Sequence, residues 1–120
     1  MSRKIIVQKF GGTSVADTSK IKNVANTILR EKNLGNDVVV VVSAMGHTTD
    51  HLVKMAKEIS PNPSGREMDM LLSTGEGISI ALLAMAIQSA GGDAISMNAM
   101  QVGIITDNVH SKARIVDIKT

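Results

Sequence analysis

Lys9, Gly11 and Gly12 stand together in "QKFGGTS" (residues 8–14), directly behind the apolar run Ile5-Ile6-Val7. Glycines leave backbone N–H groups open to a phosphate, and a lysine delivered by a strand sets a compact charge where phosphoryl oxygens gather. The plainer reading is a tight turn with Lys9 as a solvated charge at the strand end. A second cluster, "SAMGHTTDH" (43–51), offers the hydroxyls of Ser43, Thr48 and Thr49 beside Gly46. Either threonine is a candidate cap for a following helix, and either could hold a carboxylate or phosphate. His47 and His51 are spaced to share a helix face, but no third metal ligand lies nearby in the sequence. In "STGEG" (73–77), Glu76 is a carboxylate between two glycines ahead of an apolar helix. It either complements a helix N-terminus or receives an ammonium group from a ligand. No Walker A loop occurs, and Ile80 denies Gly75-Glu76-Gly77 a dinucleotide fingerprint.

These clusters need elements to position them. Residues 4–9 read as a strand, and 17–32 as a helix with apolar positions 21, 24, 25, 28 and 29 on one face. Asp17, Thr18 and Ser19 are cap candidates at its start, and Gly35 lies just past its end. Five consecutive valines, 38–42, suit a parallel strand covered by helices on both faces. Helices are expected over 49–59 and 66–74, then a Gly-Glu-Gly interruption, then an almost wholly apolar helix over 78–89. Strands are expected at 93–97 and 115–118. The expected fold is α/β, a mostly parallel central sheet flanked by helices in three αβα layers. Open parallel sheets bind ligands at the carboxyl ends of their strands, and both polar turns fall on that edge.

Composition narrows the function classes. The 120 residues suffice for one domain, and a net charge of +2 with no run of like charges gives nucleic acid or a membrane surface little to bind. Phe10 is the only aromatic residue, so stacking platforms for single strands are missing. Without cysteine there is no thiolate metal site, disulfide or thiol nucleophile. The apolar segments 5–7 and 78–87 are too short for a signal peptide or a bilayer span, so the expected setting is the cytoplasm. The eight methionines read as core filler, and His110, Lys112 and Arg114 as solvated basic surface.

Four stretches in order, "VQKFGGTSV" (7–15), "VVVVVSAMG-x-T-T-D" (38–50), "REMDMLLSTGE" (66–76) and "GIITD-x-x-H-x-x-AR" (103–114), resemble the successive motifs of bacterial aspartokinases, members of the amino acid kinase family. The resemblance covers nearly the whole chain. It implies transfer of the γ-phosphoryl of MgATP to the side-chain carboxylate of L-aspartate, giving 4-phospho-L-aspartate on the way to lysine, threonine, methionine and diaminopimelate. It implies that Lys9 contacts the transferring phosphoryl, that Phe10, Gly11 and Gly12 complete the ATP-phosphate loop, and that Thr49 and Glu76 bind aspartate, with Ser43 a weaker candidate. It further implies a homo-oligomer, with ATP carrying Mg2+.

This sequence departs from the family pattern at Gly77, where a long polar side chain is common, and at Ser111, where glycine is common. Family members run to more than twice this length. Residues 1–120 are therefore expected to be the N-terminal portion of a catalytic domain, without the C-terminal nucleotide-binding half or the ACT domains, and inactive alone. The same loops also fit two other readings: a kinase of glutamate, acetylglutamate or a nucleotide, and a non-catalytic half-domain that binds an amino acid, an anion or a partner subunit.

Overall fold

A computed structural model describes residues 2–119; Met1 and Thr120, the ends of the expected domain portion, lie outside them. Strand β1 (Ile5–Phe10) pairs in parallel with β2 (Asp37–Val42), Ile5 against Asp37 through Phe10 against Val42. Helix α1 (Thr18–Asn33) joins them. Its start is fixed by the Asp17 carboxylate, which accepts from the Lys20 N–H at 2.8 Å, a cap worth about 1 kcal/mol. Its end is fixed by Gly35 in the left-handed region at φ +90°, whose N–H reaches the Lys32 carbonyl at 3.0 Å. At the start of β2, a hydrogen bond from Lys32 and the charge of Arg3 hold the Asp37 carboxyl below its usual range.

Alternation along the strands sends Phe10, Val38, Val40 and Val42 to one face, against Val15, Ile21, Val24, Ile28, Leu83 and Ile87. The other face carries Ile5, Val7, Lys9, Val39 and Val41, all exposed. The described residues thus hold the sheet and one helical layer of the expected three. Most methionines contradict the expectation of core filler. Met55, Met70, Met85, Met97 and Met100 are exposed on surfaces that no element covers, and Met45 is only partly buried.

Two helices follow, α2 (Thr48–Ile59) and α3 (Gly65–Ser89). The expected break at 75–77 does not occur; α3 is continuous for 25 residues. Each internal glycine disfavours helix by about 1 kcal/mol relative to alanine, but Gly75, Ser79, Leu83 and Ile87 form one buried stripe at a spacing of four, and that packing carries the helix through. The continuous helix is also longer than the apolar segment read from sequence. With a mean hydropathy of 1.7 over its most apolar window, it is long and apolar enough to cross a membrane, a property shared by core helices of soluble proteins. One stripe of it packs against α1 and α2, and the rest of its surface is partly or fully exposed.

Residues 93–97 form no strand ladder; they line a groove beside Val38, Val40 and Val42. The strand at 115–118 is present as β4 (Ile115–Ile118), yet its partner is an unexpected antiparallel strand, β3 (Ile104–Thr106), in a sheet separate from β1–β2.

Candidate phosphate and amino-acid site

The turn after β1 and the turn after β2 are locked backbone to backbone. Gly46 N–H donates to the Gly12 carbonyl at 2.9 Å, and Ser43 N–H donates to the Phe10 carbonyl at 3.1 Å. A Cβ on Gly12 would stand 2.9 Å from the Ala44 carbonyl oxygen and 3.2 Å from that of Gly46, so no side chain fits there. Gly46 adopts φ +47°, a conformation glycine takes without strain. Gly11 differs: a Cβ there would meet nothing within 4 Å, leaving its backbone open.

Lys9 is the penultimate residue of β1, exposed on the uncovered sheet face opposite Val41. The ring of Phe10 turns the other way, into the core, so Phe10 offers the site backbone rather than side chain. No α-helix N-terminus stands directly behind the glycines. A single 3-10 turn (Gly12–Val15) intervenes, and the α1 N-terminus is already capped by the Asp17 carboxylate. Among the described residues, positive charge at this turn comes from Lys9 and from Lys20, whose Nζ donates to the Thr13 carbonyl at 3.2 Å.

Neither threonine caps α2. His47 takes the N-cap position without a side-chain cap bond, and its Nδ1 lies 3.4 Å from an Asp50 oxygen instead. Thr49 is exposed in the first turn, and Ser43 is half-buried at the β2 exit. Glu76 is not at a helix start; it is exposed midway along α3, so complementing an N-terminal dipole does not explain it. What places it is its neighbour. A Cβ on Gly75 would lie 3.2 Å from Thr48 Cγ2, 3.3 Å from Ala44 Cβ and 3.4 Å from Leu52 Cδ1. The missing side chain brings α3 against the β2 exit and the first turns of α2. Ser43, Thr49 and Glu76 are each the chain neighbour of a residue in this contact. Three segments distant in sequence, the Gly12 turn, the stretch 43–52 and α3 at Gly75, therefore meet at one strand-end edge, with Lys9 leading into it.

Asp69 and Ser111 carry a contact that sequence reasoning missed. The Asp69 carboxylate accepts from Ser111 N–H at 3.0 Å and lies 3.2 Å from His110 Nδ1, so His110 is engaged rather than merely solvated. The motifs containing Asp69 and His110 were visible; their juxtaposition was not.

This strand-end edge combines bare backbone, a lysine, hydroxyls and one carboxylate, groups whose chemistry suits phosphate oxygens and an ammonium. Residues 4–120 match the model of the amino acid kinase family, and the chain belongs to that family. It is 60% identical over 116 residues to an aspartokinase of Geobacillus stearothermophilus, covering 97% of this chain and 28% of that protein. Aspartokinase 2 of Bacillus subtilis is 59% identical over the same length. The chain thus spans just over a quarter of the length of these curated relatives. Among solved structures, aspartate kinase from Synechocystis superposes with a TM-score of 0.81 at 60% identity, over 83% of this chain and 17% of that one. Escherichia coli aspartokinase III, solved with aspartate and ADP, gives 0.79 at 23% identity over 92% of this chain and 34% of that one, a likeness of fold.

Proposed function

We propose that this chain forms the phosphate-facing and aspartate-facing edge of an aspartokinase catalytic domain. The observation that carries the reading is the meeting of the loop after Lys9, the start of α2 beside Thr49 and the middle of α3 beside Glu76 at one strand-end edge, in a chain 60% identical to an aspartokinase. A side-chain oxygen of L-aspartate attacks the γ-phosphorus of MgATP, the bond to the β-phosphate oxygen breaks, and ADP leaves. The magnesium ion enters with the nucleotide as part of the substrate. Such transfer asks the protein mainly for positioning and charge neutralisation. Lys9 and the N–H groups of Gly11 and Gly12 face the phosphoryl oxygens, Glu76 pairs with the substrate ammonium, and the Thr49 and Ser43 hydroxyls orient its carboxylate. The setting is cytoplasmic, the assembly a homo-oligomer, and the product feeds the synthesis of lysine, threonine, methionine and diaminopimelate. The 120-residue chain alone has little or no turnover, because the rest of the nucleotide clamp is supplied by residues outside it.

A hybrid in which this segment replaces the matching 116 residues of the Geobacillus enzyme gives a full-length form for assay. In a coupled ADP-release assay the hybrid turns over with L-aspartate and not with glutamate or acetylglutamate; a preference for either of the others overturns the assignment. In the same hybrid, Glu76→Ala raises the aspartate KM by about 10- to 100-fold, the loss expected for a hydrogen bond to a charged group, with a smaller change in turnover. An unchanged aspartate KM removes Glu76 from the pocket.

A further inference from the structure

Among the described residues, side-chain hydrogen bonds and ion pairs link positions at most seven apart, except for the Arg3–Asp37 ion pair at 2.9 Å and the contacts converging on Asp69. His110 Nδ1 and Ser111 N–H reach Asp69 Oδ2 at 3.2 and 3.0 Å, and Ser111 Oγ lies 3.5 Å from Oδ1. Directly below, Gly65 leaves room for the loop, since a Cβ there would stand 3.3 Å from His110 Cβ. Gly65 and Asp69 are four apart and share a face of α3, so the loop is seated on the first two turns of the helix. Ser111 holds φ +66°, a left-handed conformation costly for a residue with a Cβ, and its N–H is the donor that meets Asp69.

The rest of the hairpin is tied to itself. Ile104 pairs with Ile118, Lys119 N–H donates to the Gly103 carbonyl at 2.9 Å, and Asp107 Oδ1 accepts from the N–H groups of Val109 and Arg114. Every residue of β4 is exposed. A two-stranded hairpin with no covered face is marginal in water, so its order depends on what seats it.

We infer that Asp69 is a positioning residue that seats the β3–β4 hairpin on α3, and that without its carboxylate the hairpin comes away as a unit while the α1–β1–β2 body stays folded. Asp69 and Glu76 are seven apart, nearly two helical turns, which places the seat on the same face of α3 about 10 Å from Glu76. The seat therefore fixes the hairpin beside the face that bears Glu76. The inference does not depend on which reaction the chain serves.

Hydrogen exchange on the 120-residue chain tests it. In Asp69→Ala, amides of the hairpin exchange at least about 10-fold faster, as for local opening, while those of α1, β1 and β2 keep their rates. Ser111→Gly keeps the N–H bond, relieves the positive φ and leaves hairpin exchange unchanged or slower. Unchanged hairpin exchange in Asp69→Ala overturns the inference. So does equal acceleration of the hairpin and the body, which would make Asp69 a general stability residue. Should Asp69→Ala fail to fold, His110→Ala is read the same way: acceleration confined to the hairpin supports the seat, and unchanged or uniform exchange overturns it.

Discussion

Replacing Lys9 with alanine in the full-length hybrid is expected to lower turnover by at least about 100-fold, with only a modest change in KM for ATP or aspartate. The expectation follows from where the residue sits. Lys9 is held by a strand whose ladder with β2 runs from Ile5 to Phe10, so its backbone is fixed before any ligand arrives. A charge on so rigid a support gains most when negative charge spreads over the transferring phosphoryl, which is a transition-state effect rather than a ground-state one. Lys9→Arg should not restore the rate, because a planar, forked cation cannot reproduce the position of an ammonium. Near-normal turnover in Lys9→Ala, measured by steady-state kinetics, would remove Lys9 from the chemistry.

The second large effect is expected at Gly12. An added methyl would press on two backbone carbonyl oxygens, those of Ala44 and Gly46, and no rotamer change can move them away. The two strand-end turns must part, straining the hydrogen bond from Gly46 to Gly12. Gly12→Ala should destabilise the chain by about 1–3 kcal/mol, the range for overpacked sites. Gly11→Ala is the matched control. Its methyl points into open space, so stability should change by less than about 0.5 kcal/mol. Urea denaturation of both variants checks the contrast, and equal stability of the two would contradict the interlock. If Gly11→Ala is stable yet slows the hybrid, the effect reports how closely a phosphate approaches that backbone.

Where structure follows from neighbours in the chain, the sequence was enough. Strand β1, helix α1, strand β2 and helix α2 lie within a residue of their expected bounds, because alternation, a four-residue stripe, the Asp17 cap and Gly35 are local signals. The failures are tertiary. Gly75 and Gly77 read as breakers by propensity, but Gly75 is where α3 presses on Ala44 and Thr48, a contact no local window contains. Residues 93–97 have strand composition without a ladder partner among the described residues. The candidate site was legible as motifs, and the structure brings the stretch with Ser43 and Thr49 against α3 at Gly75, next to Glu76. The reasons first attached to some of those residues were wrong: Glu76 answers no helix N-terminus, and the threonines cap nothing. Asp69 was hidden because its partners lie 41 and 42 residues away, with no periodicity to join them.

The most direct test of the account is a crystal structure of the hybrid with MgADP and L-aspartate. The account predicts Lys9 Nζ within about 3 Å of a phosphate oxygen or of the gap left by the γ-phosphoryl, and the Glu76 carboxylate within about 3 Å of the aspartate ammonium. Phosphates bound away from the Gly11–Gly12 turn, or an aspartate ammonium paired to some other acid, would contradict it.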